Sequence, residues 1–352
     1  MNHFEHDRRT AFAAIEEAQR LAFAPMAFQA ARVLRTTGLL ELIHQHDLTG
    51  ITLDELTAAA KLPRYGVKVL LEAGLGIGLV CRNGDRFTLT KTGYFILCDA
   101  QIRACMDFSH DVCYRGLFDL DQSIAAGQPV GLKEFGNWPT VYEALAHLPA
   151  GVQKSWFNFN QYFSDIAFPA ALPLVFADRP QRLLDIGGNT GKWALQCTRY
   201  DSAVRVTILD LPGQLKLAKK NVGESDRITY HALDLLDAAQ PFPTGHDAIW
   251  MSQLLDCFSE AQIVSILQRA TRAMTPATTL SILEPYWDRQ RNATAAFALQ
   301  QTSLYFTAIA NGNSQLYAAK DMLRCIAASG LHVVEDRDNV GPYHTLLKCK
   351  LV

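Results

Sequence analysis

The segment MSQLLDCFSE, residues 251–260, places an aspartate and a cysteine directly after the probable strand HDAIW. In nucleotide-binding α/β domains, catalytic groups usually lie just beyond the carboxyl ends of strands. Asp256 is therefore a candidate catalytic group. Cys257 beside it is more typical of a small buried apolar residue than of a nucleophile.

A glycine-rich loop lies upstream, in RLLDIGGNTGKWALQ. A hydrophobic strand runs into Asp185 and is followed by Gly187, Gly188 and Gly191 and then by a helix. Glycines let the backbone pass close to a ligand, and a helix amino terminus offers free N–H groups. The spacing D-x-G-G-x-x-G differs from the G-x-G-x-x-G of dinucleotide folds. An acid at this place suits a cation, such as the ammonium of an amino-acid-bearing cofactor.

Two further acids follow the next two probable strands. Asp210 in VTILDLPG closes the second strand, where ribose hydroxyls are typically bound, and Asp234 in HALDLL follows the third, where an adenine could lie. Together with the neighbouring Leu211 and Leu235, these residues complete an expected cofactor-binding edge.

The elements that must position these residues alternate between strand and helix from about residue 180. The β-prone segments are RLLDIGG, RVTILDL, ITYHALDL, HDAIWMS, TLSILEP and TLLKCKLV. Helical patterns lie at 191–200, 213–222, 260–274 and 318–329. This alternation predicts an α/β fold over residues 166–352, a Rossmann-like domain with a doubly wound, mostly parallel sheet.

The N-terminal part has a different pattern. Residues 11–47 carry apolar side chains at helical spacing, among them Leu21 and Met26, and predict two buried helices broken near Pro25. Next, Thr52 can cap a helix, and Pro63 can open another that ends at the glycines near 74–78.

A strong hairpin signal follows at Asn83-Gly84, between two β-prone runs. Helix, turn, helix and hairpin is the order of a winged-helix module, predicted for residues 1–98. Residues 99–165 have a helical pattern with breaks at 127–131 and 136–139. This pattern predicts a helical connector that can form one side of a pocket.

Composition excludes several classes of protein. A chain of 352 residues favours two domains, and a net charge of -2 calls for no nucleic acid or acidic membrane partner. Eight single cysteines without a C-x-x-C pair indicate reduced thiols in a cytoplasm and no zinc site. The histidines share no metal-like spacing, so no metal is expected. The polar start MNHFEHDRRT lacks the apolar core of a signal peptide, and no membrane span is expected.

The ordered set DIGGNTGK, LDLPGQL, HDAIWMSQLLDCFSE and LSILEP, behind a winged-helix segment, resembles the small-molecule O-methyltransferases. These are class I S-adenosylmethionine methyltransferases of plant phenylpropanoid and bacterial secondary metabolism. The resemblance spans nearly the whole chain. It implies S-adenosylmethionine as cofactor, S-adenosylhomocysteine as its product, and a winged-helix part that forms a homodimer. The segments QLLDCFSE, WDRQR and SLYFTAIANGNS look like a bacterial subgroup found with aryl-polyene pigment pathways.

The resemblance also indicates where this chain departs from the family. The family's general base is a histidine in an L-H-D-W-like motif, and Asp256 stands at that position. Ser252 stands where the family often has a lysine near the cofactor. Of two glutamates that support the histidine, Glu284 matches one, whereas the other falls near Leu316 and is absent. The cofactor site is thus kept and the catalytic site is rewritten.

An aspartate with a pKa of about 3.9 is a poor base for a phenol with a pKa of about 10. Burial beside Glu284 would raise the pKa of one of the two carboxyl groups. Three interpretations of Asp256 remain open: a base or orienting group, a substrate-binding residue beside another base, or a solvated cap of the next helix. His110 in DFSHDVCY is the imidazole to test as that other base.

Aromatic residues upstream of the cofactor loop suggest a pocket for a flat ring. Trp156, Phe159 and Tyr162 in WFNFNQYFSDIAF are the candidates, with Tyr305 and Asn311 in LYFTAIANGNS. Each of them is also explained as ordinary core or loop. The expected acceptor is a phenolic or related aromatic molecule, free or linked to a carrier or coenzyme A. The sequence leaves open whether its oxygen or a ring carbon ortho to a hydroxyl receives the methyl group.

Two other classes of function compete with an enzyme. A DNA-binding regulator would use the winged helix, although the second helix carries only Arg64 and Lys68 as positive charges. A protein that binds the cofactor without transferring a methyl group is the other alternative, and the missing histidine motivates it.

Overall fold

In a computed structural model of the protein, the chain divides into two units, residues 4–109 and residues 110–352. The structure describes residue 4 and residues 6–352, except the side chain of Ala146. Residues 1–3 and 5, which belong to the polar start of the sequence, lie outside the described residues. The predicted boundaries at 98 and 165 stay a prediction.

The first unit consists of short helices and a small antiparallel sheet. The helices are α1 (Ala11–Ala22), α2 (Ala24–Thr36), α3 (Leu39–His44), α4 (Leu53–Ala60), α5 (Arg64–Gly76), α6 (Lys91–Cys98) and α7 (Ala100–Phe108). The strands are β1 (Ile51–Thr52), β2 (Val80–Asn83) and β3 (Arg86–Leu89), in the order β1-β3-β2.

The local signals of the winged helix are confirmed. Thr52 caps α4 in a capping box with Glu55, and α5 begins directly after Pro63. β2 and β3 form the hairpin expected at Asn83-Gly84, with Gly84 at a φ of +62°. The polar capping atoms satisfy backbone N–H groups that a helix start leaves free.

The predicted break near Pro25 is confirmed, since α1 ends at Ala22 and Pro25 lies in the opening turn of α2. The prediction for residues 11–47 is wrong in the number of helices, which is three instead of two, and in their burial. None of the residues Ala11–Ala22 is buried, and Leu21 and Met26 are 64% and 69% exposed. An apolar helix pattern indicates that one face of the helix is buried in the functional protein, but it does not show whether the same chain or a second chain covers that face.

The second unit contains nine α-helices and the large sheet. The helices are α8 (Leu120–Ala126), α9 (Val141–Ala144), α10 (Ala150–Ser164), α11 (Phe168–Val175), α12 (Lys192–Tyr200), α13 (Pro212–Val222), α14 (Glu260–Ala273), α15 (Ala293–Tyr305) and α16 (Ala319–Ala328). The strands are β4 (Arg182–Ile186), β5 (Arg205–Asp210), β6 (Ile228–Ala232), β7 (Ala248–Ser252), β8 (Thr279–Glu284), β9 (Leu331–Val340) and β10 (His344–Leu351).

The sheet has the strand order β6-β5-β4-β7-β8-β10-β9. Strands β4 to β8 are parallel, while β10 runs antiparallel to both β8 and β9. The predicted doubly wound, mostly parallel sheet is confirmed, and β9 is a strand that the sequence did not indicate. Because β4, β7 and β8 are neighbours, their carboxyl ends bring Asp185, Ser252 and Glu284 to one edge.

Apolar side chains cover both faces of this sheet, as a parallel sheet requires. On one face, Leu184, Met251 and Ile282 pack with residues of α14 and α16. On the other face, Leu183 and Trp250 pack with residues of α11, α12 and α13. The strands are thereby fixed on both sides, and the loops at their carboxyl ends rest on a rigid support.

Candidate active site

The loop after β4 leaves no room for a side chain at Gly187 or Gly188. Gly187 has a φ of +73°, and a Cβ atom there would lie 2.5 Å from Cδ1 of Leu254. At Gly188, a Cβ atom would lie 2.7 Å from Oδ2 of Asp185. Gly191, with a φ of +77°, is the residue directly before α12. The loop therefore needs glycine both for its backbone angles and for its close approach to Asp185.

Asp210 at the end of β5 holds this loop. One carboxylate oxygen accepts a hydrogen bond from the backbone N–H of Asn189 at 2.8 Å, and the other accepts from Leu211 at 2.7 Å. Burial raises the pKa of Asp210, and these two donors act against that rise. The Asp210 carboxylate, which is predicted to bind a ribose, thus also connects the glycine loop to the end of β5.

Asp185 is 2% exposed, and its Oδ2 has no hydrogen-bond partner among the described residues. Burial, and then the charge of Asp210, raises its pKa to about 8. A buried acceptor without a donor is costly unless a ligand completes it. A cationic ligand that approached Oδ2 would supply this missing partner.

Further buried polar atoms without partners in the described chain flank the same edge. They are Oδ1 of Asn189, Oγ of Ser252 and Nε2 of Gln253. Asn189 and Gln253 both have a φ of +47°, which is uncommon for residues other than glycine. Gln253 was missed in the sequence, because nothing in its neighbours signals the unusual backbone angle. Unpartnered acceptors and donors at one edge fit a ligand with an ammonium and several polar groups, as S-adenosylmethionine has.

The outer part of the predicted cofactor edge is more open. Asp234 is exposed, and its side chain accepts from the backbone N–H of Leu236 at 2.8 Å. Leu211 and Leu235 are half-buried. Asp234 follows β6, as expected, and its predicted contact with an adenine stays a prediction.

Asp256 lies in a single 3-10 turn, Leu255–Cys257, after β7, and it is 8% exposed. Burial raises its pKa to about 6. The Cys257 thiol lies 3.4 Å from its Oδ1 and donates to it. The interpretation as a solvated helix cap is wrong, since Ser259 caps α14 in a capping box with Gln262.

Glu284 at the end of β8 supports this turn. Its Oε1 accepts from the backbone N–H groups of Leu254 and Leu255, both at 2.9 Å, and its Oε2 is buried without a partner. Burial raises the pKa of Glu284 well above its usual range, and the charge of Asp256 raises it further. The two carboxyl groups therefore interact, and each favours the neutral form of the other.

Two more side chains hold the same turn by its carbonyl groups. Asn311 donates from Nδ2 to the Cys257 carbonyl at 2.6 Å, and Tyr317 donates to the Phe258 carbonyl at 2.7 Å. The other end of the Asn311 amide accepts from the backbone of Asn313 and from Ser314. Asn311, predicted to face substrate, is thus engaged within the protein as a support of the Asp256 turn.

The aromatic candidates on α10 differ in their burial and in their contacts. Trp156 is 6% exposed and donates from Nε1 to the hydroxyl of Tyr305 at 2.7 Å. Phe159 packs on Phe163 with ring centroids 4.8 Å apart, whereas Tyr162 is 36% exposed. Burial raises the pKa of Tyr305 well above its usual range, and the charges of Cys113, Cys257 and Asp256 act on it too. Trp156 and Tyr305 are therefore linked to the surroundings of Asp256.

His110 lies in a π-helical turn, Ser109–Cys113. Its Nε2 is 4.0 Å from Oδ1 of Asp111, and its ring is tilted against Tyr114 at 6.2 Å. The other Asp111 oxygen accepts from Ser155 on α10 at 2.6 Å. His110 is thus connected to the aromatic helix, and its role as a base stays a prediction.

In the part of the chain that the structure describes, no three acidic, histidine or cysteine side chains gather as metal ligands would. No helix within that part is both long enough and apolar enough to cross a membrane.

Comparisons with known proteins match both parts of the chain. Residues 16–87 match the sequence model of a Dimerisation2-like domain, and residues 136–328 match that of an O-methyltransferase domain. Demethylspheroidene O-methyltransferase of Cereibacter sphaeroides is 27% identical over 63% of this chain and 59% of the relative. The chain therefore spans about three fifths of the length of that relative. Aclacinomycin 10-hydroxylase of Streptomyces purpurascens is 26% identical over 74% of this chain and 69% of the relative.

Solved structures share the fold of almost the whole chain. The S-adenosylmethionine-dependent methyltransferase SibL, in its apo form, is 23% identical with a TM-score of 0.73, over 94% of this chain and 98% of that one. Human N-acetylserotonin methyltransferase, in complex with S-adenosylmethionine, is 16% identical with a TM-score of 0.70, over 99% of both chains. With more than half of its residues matching the O-methyltransferase domain, the chain belongs to the O-methyltransferase domain family.

Proposed function

We propose that the protein transfers a methyl group from S-adenosylmethionine to a phenolic or related aromatic small molecule. The observation that carries this proposal is the position of Asp256, a buried carboxyl group with a pKa raised to about 6. It follows β7, the strand next to the one that carries the glycine loop. A base therefore lies beside a loop whose unpartnered polar atoms fit the cofactor.

When bound, S-adenosylmethionine supplies a methyl group on a positively charged sulfur, which is already activated for transfer. The chain has two tasks, to hold the acceptor in line and to remove its proton. Alignment contributes up to roughly 7–11 kcal/mol in favourable cases. Proton removal by a positioned base adds about 10²–10⁴-fold.

Asp256 performs the second task in its ionised form. The phenolic O–H proton passes to its carboxylate, and an electron pair of the phenolic oxygen forms the bond to the methyl carbon. The electron pair of the broken carbon–sulfur bond stays on sulfur. Glu284 acts through the backbone, since it holds the turn that carries Asp256.

The acceptor is aromatic because the surroundings of Asp256 are aromatic. Trp156 and Tyr305 are both 6% exposed and are joined by their hydrogen bond, so they supply fixed aromatic side chains in this region. Both O-methylation and methylation of a ring carbon ortho to a hydroxyl start from the same phenolate. The ring-carbon outcome on an aryl-polyene head group, free or carrier-linked, belongs to this proposal as its narrower form.

The proposed active species is a homodimer in the cytoplasm. Large apolar side chains on α1, at its end and at the start of α2 lie in solvent within the single chain: Phe12, Ile15, Leu21, Phe23 and Met26. A second copy of the Dimerisation2-like domain would cover them. All eight cysteines are free thiols, which suits a reducing compartment.

The test is an assay of the purified protein with S-adenosylmethionine and a panel of 4-hydroxyphenyl compounds, naphthols and hydroxynaphthoates. Proton NMR of the product separates an O-methyl singlet from a ring methyl signal. We expect one methyl group per turnover and loss of product in the Asp256→Ala variant. Full activity of Asp256→Ala would contradict the assigned base.

A second candidate function is cofactor binding without methyl transfer. Two observations favour it: Asp256 replaces the histidine expected by resemblance, and one relative bears the name of a hydroxylase. The same assay decides, because S-adenosylmethionine would then bind stoichiometrically in calorimetry while no S-adenosylhomocysteine formed with any acceptor.

The charges of the first unit speak against a DNA-binding regulator. Arg64 pairs with Asp54 at 2.7 Å, and Lys68 lies 3.7 Å from Glu72. Arg86 in the wing lies 3.3 Å from Glu55. A surface whose cations already face carboxylates gains little from a phosphate backbone.

A further inference from the structure

A half-buried tyrosine with a buried hydroxyl near Asp256 takes no part in the scheme above. Tyr142 lies on α9, the four-residue helix Val141–Ala144. Its hydroxyl oxygen is buried and has no hydrogen-bond partner of ordinary geometry among the described residues. A buried phenol normally finds such a partner, so this hydroxyl calls for an explanation.

The Tyr142 hydroxyl lies near the side chains that surround Asp256. The groups whose charges act on it are the Cys257 thiol, the Tyr305 phenol and the Asp256 carboxyl. Tyr305 already accepts from Trp156, and the thiol of Cys257 donates to Asp256. The Tyr142 hydroxyl interacts with the Cys257 sulfur, which is a weak acceptor. The Tyr142 hydroxyl is therefore a donor that can turn from this sulfur to the oxygen atom of a bound molecule.

The geometry points to Tyr142 as the hydrogen-bond donor to the oxygen of the aromatic acceptor, on the phenolate that forms when Asp256 removes the proton. The assignment rests on the proposed function, because it takes a phenol bound at Asp256. It adds a group that sequence reasoning missed, in a short helix that follows the break at 136–139.

Tyr142 keeps its own proton in this role. Burial, and then the charges of Cys257, Tyr305 and Asp256, raises the pKa of its hydroxyl well above the usual range. A neutral donor facing a newly formed phenolate stabilises the charge that develops during proton removal. Asp256 would thus accept the proton and Tyr142 would stabilise the oxygen, two roles that a single histidine fills when it becomes protonated.

The variant Tyr142→Phe tests the assignment, because it removes the hydroxyl and keeps the ring. Tyr230→Phe is the matched control, since the Tyr230 hydroxyl on β6 is also buried without a partner in the described chain. The probe is 4-nitrophenol, whose absorbance distinguishes phenol from phenolate. It is titrated with pH on the full-length protein in the presence of S-adenosylhomocysteine, and thermal melting shows that each variant is folded.

We expect Tyr142→Phe to raise the apparent pKa of the bound nitrophenol by about 1 unit, the size of a hydrogen bond to a charged group. The kcat/KM for methyl transfer should fall about 10-fold, mainly in kcat. Tyr230→Phe should change neither value. An unchanged nitrophenol pKa in Tyr142→Phe, an equal change in Tyr230→Phe, or no binding of millimolar nitrophenol to the wild type would overturn the assignment.

This outcome is separable from that of the proposed function. If the nitrophenol pKa depends on Tyr142 but the protein methylates no phenol, the proposed methyl transfer is wrong and the assignment of Tyr142 as donor stands. If the protein methylates phenols but Tyr142→Phe leaves the nitrophenol pKa unchanged, the proposed function stands and the assignment of Tyr142 is wrong.

Discussion

The charge of Asp256, in the turn after β7, raises the pKa of Glu284 at the end of β8. Both carboxyl groups are buried, and two buried carboxyls do not readily ionise together. The backbone amides of Leu254 and Leu255 donate only to Glu284. Glu284 is thus engaged by the backbone, whereas Asp256 is the carboxyl group proposed to accept the proton.

The pH dependence of methyl transfer should follow Asp256. Its ionised form is the base, and its pKa is about 6, so kcat/KM should fall about tenfold per pH unit below that value. The measurement is kcat/KM between pH 5 and 8 at saturating S-adenosylmethionine. Asp256→Asn should lower kcat/KM by about 10²–10⁴-fold and remove the break near pH 6. A flat profile in the wild type would refute this role.

The two substitutions of Glu284 should differ in stability. Glu284→Gln keeps an oxygen for the N–H groups of Leu254 and Leu255, whereas Glu284→Ala leaves both buried donors unpaired. We expect the alanine variant to unfold more easily than the glutamine variant, by about 2–4 kcal/mol. Urea denaturation of both proteins gives the comparison. Equal free energies of unfolding would show that water replaces the lost acceptor.

Cofactor affinity should depend on the close packing at Gly188. A Cβ atom there meets Asp185 at 2.7 Å and Cγ2 of Ile208 at 2.8 Å, so alanine must displace one of them. Gly188→Ala should weaken S-adenosylhomocysteine binding by at least about tenfold, since a shift of 1.4 kcal/mol suffices for that factor. Gly151→Ala is the control, because a Cβ atom at Gly151 meets nothing within 4 Å. Calorimetry measures both affinities, and equal losses would contradict the steric cause.

Binding of the cofactor should release a proton from Asp185. Its pKa of about 8 in the free protein means that most of it is protonated at pH 7. An ammonium group at Oδ2 favours the carboxylate and lowers this pKa, so the proton leaves on binding. Calorimetry at pH 7 in buffers of different ionisation enthalpy should show release of about one proton. In Asp185→Asn the release should vanish along with most of the affinity. Binding without proton release would place the ammonium elsewhere.

The same raised pKa has a consequence for the free protein. Because the folded-state pKa of Asp185 lies above the ordinary value of 3.8, its contribution to stability is fully present below that value and is lost as pH rises to about 8. Saturation with S-adenosylhomocysteine should remove this loss.

Dimer formation should depend on the exposed apolar face of α1. Leu21→Glu puts a charge where a second copy is proposed to pack, and we expect a shift from dimer to monomer in light scattering. Leu21 is 64% exposed and Leu48 is fully exposed in the single chain, so Leu48→Glu serves as the control. A dimer that survives Leu21→Glu would move the interface to another surface.

Much of the fold follows from local patterns in the sequence. Strands β4, β5, β7 and β8 are short, largely apolar runs, as expected of strands covered on both faces. β5, β7 and β8 end in a polar residue, and β4 carries Asp185 one residue before its end. β9 is different, because charged residues such as Glu335 and Asp336 lie along an edge strand with one open side. Its sequence LHVVEDRDNV resembles a loop until its partner β10 is known.

The parts of the candidate site that depend on a local backbone pattern were predictable from the sequence. The parts formed by residues far apart in the chain were less predictable. The glycine loop and the acids at the carboxyl ends of β4 and β5 follow from their spacing in the sequence. The role of Asn311 depends on Cys257, which lies far from it in the chain, so no local pattern signals their contact. The same holds for Tyr142, whose neighbours come from other segments. Burial of Leu21 was predicted wrongly because periodicity does not distinguish a core from an interface.

The supports of the Asp256 turn have a consequence for how this protein family diversifies. Glu284, Asn311 and Tyr317 all grip main-chain atoms of residues 254–258, and none of these hydrogen bonds involves the side chain at 256. We therefore expect a different proton acceptor at residue 256 to leave these four hydrogen bonds in place. It would lose only the bonds that the Asp256 carboxylate accepts from Cys257 and from the backbone of residues 256 and 257.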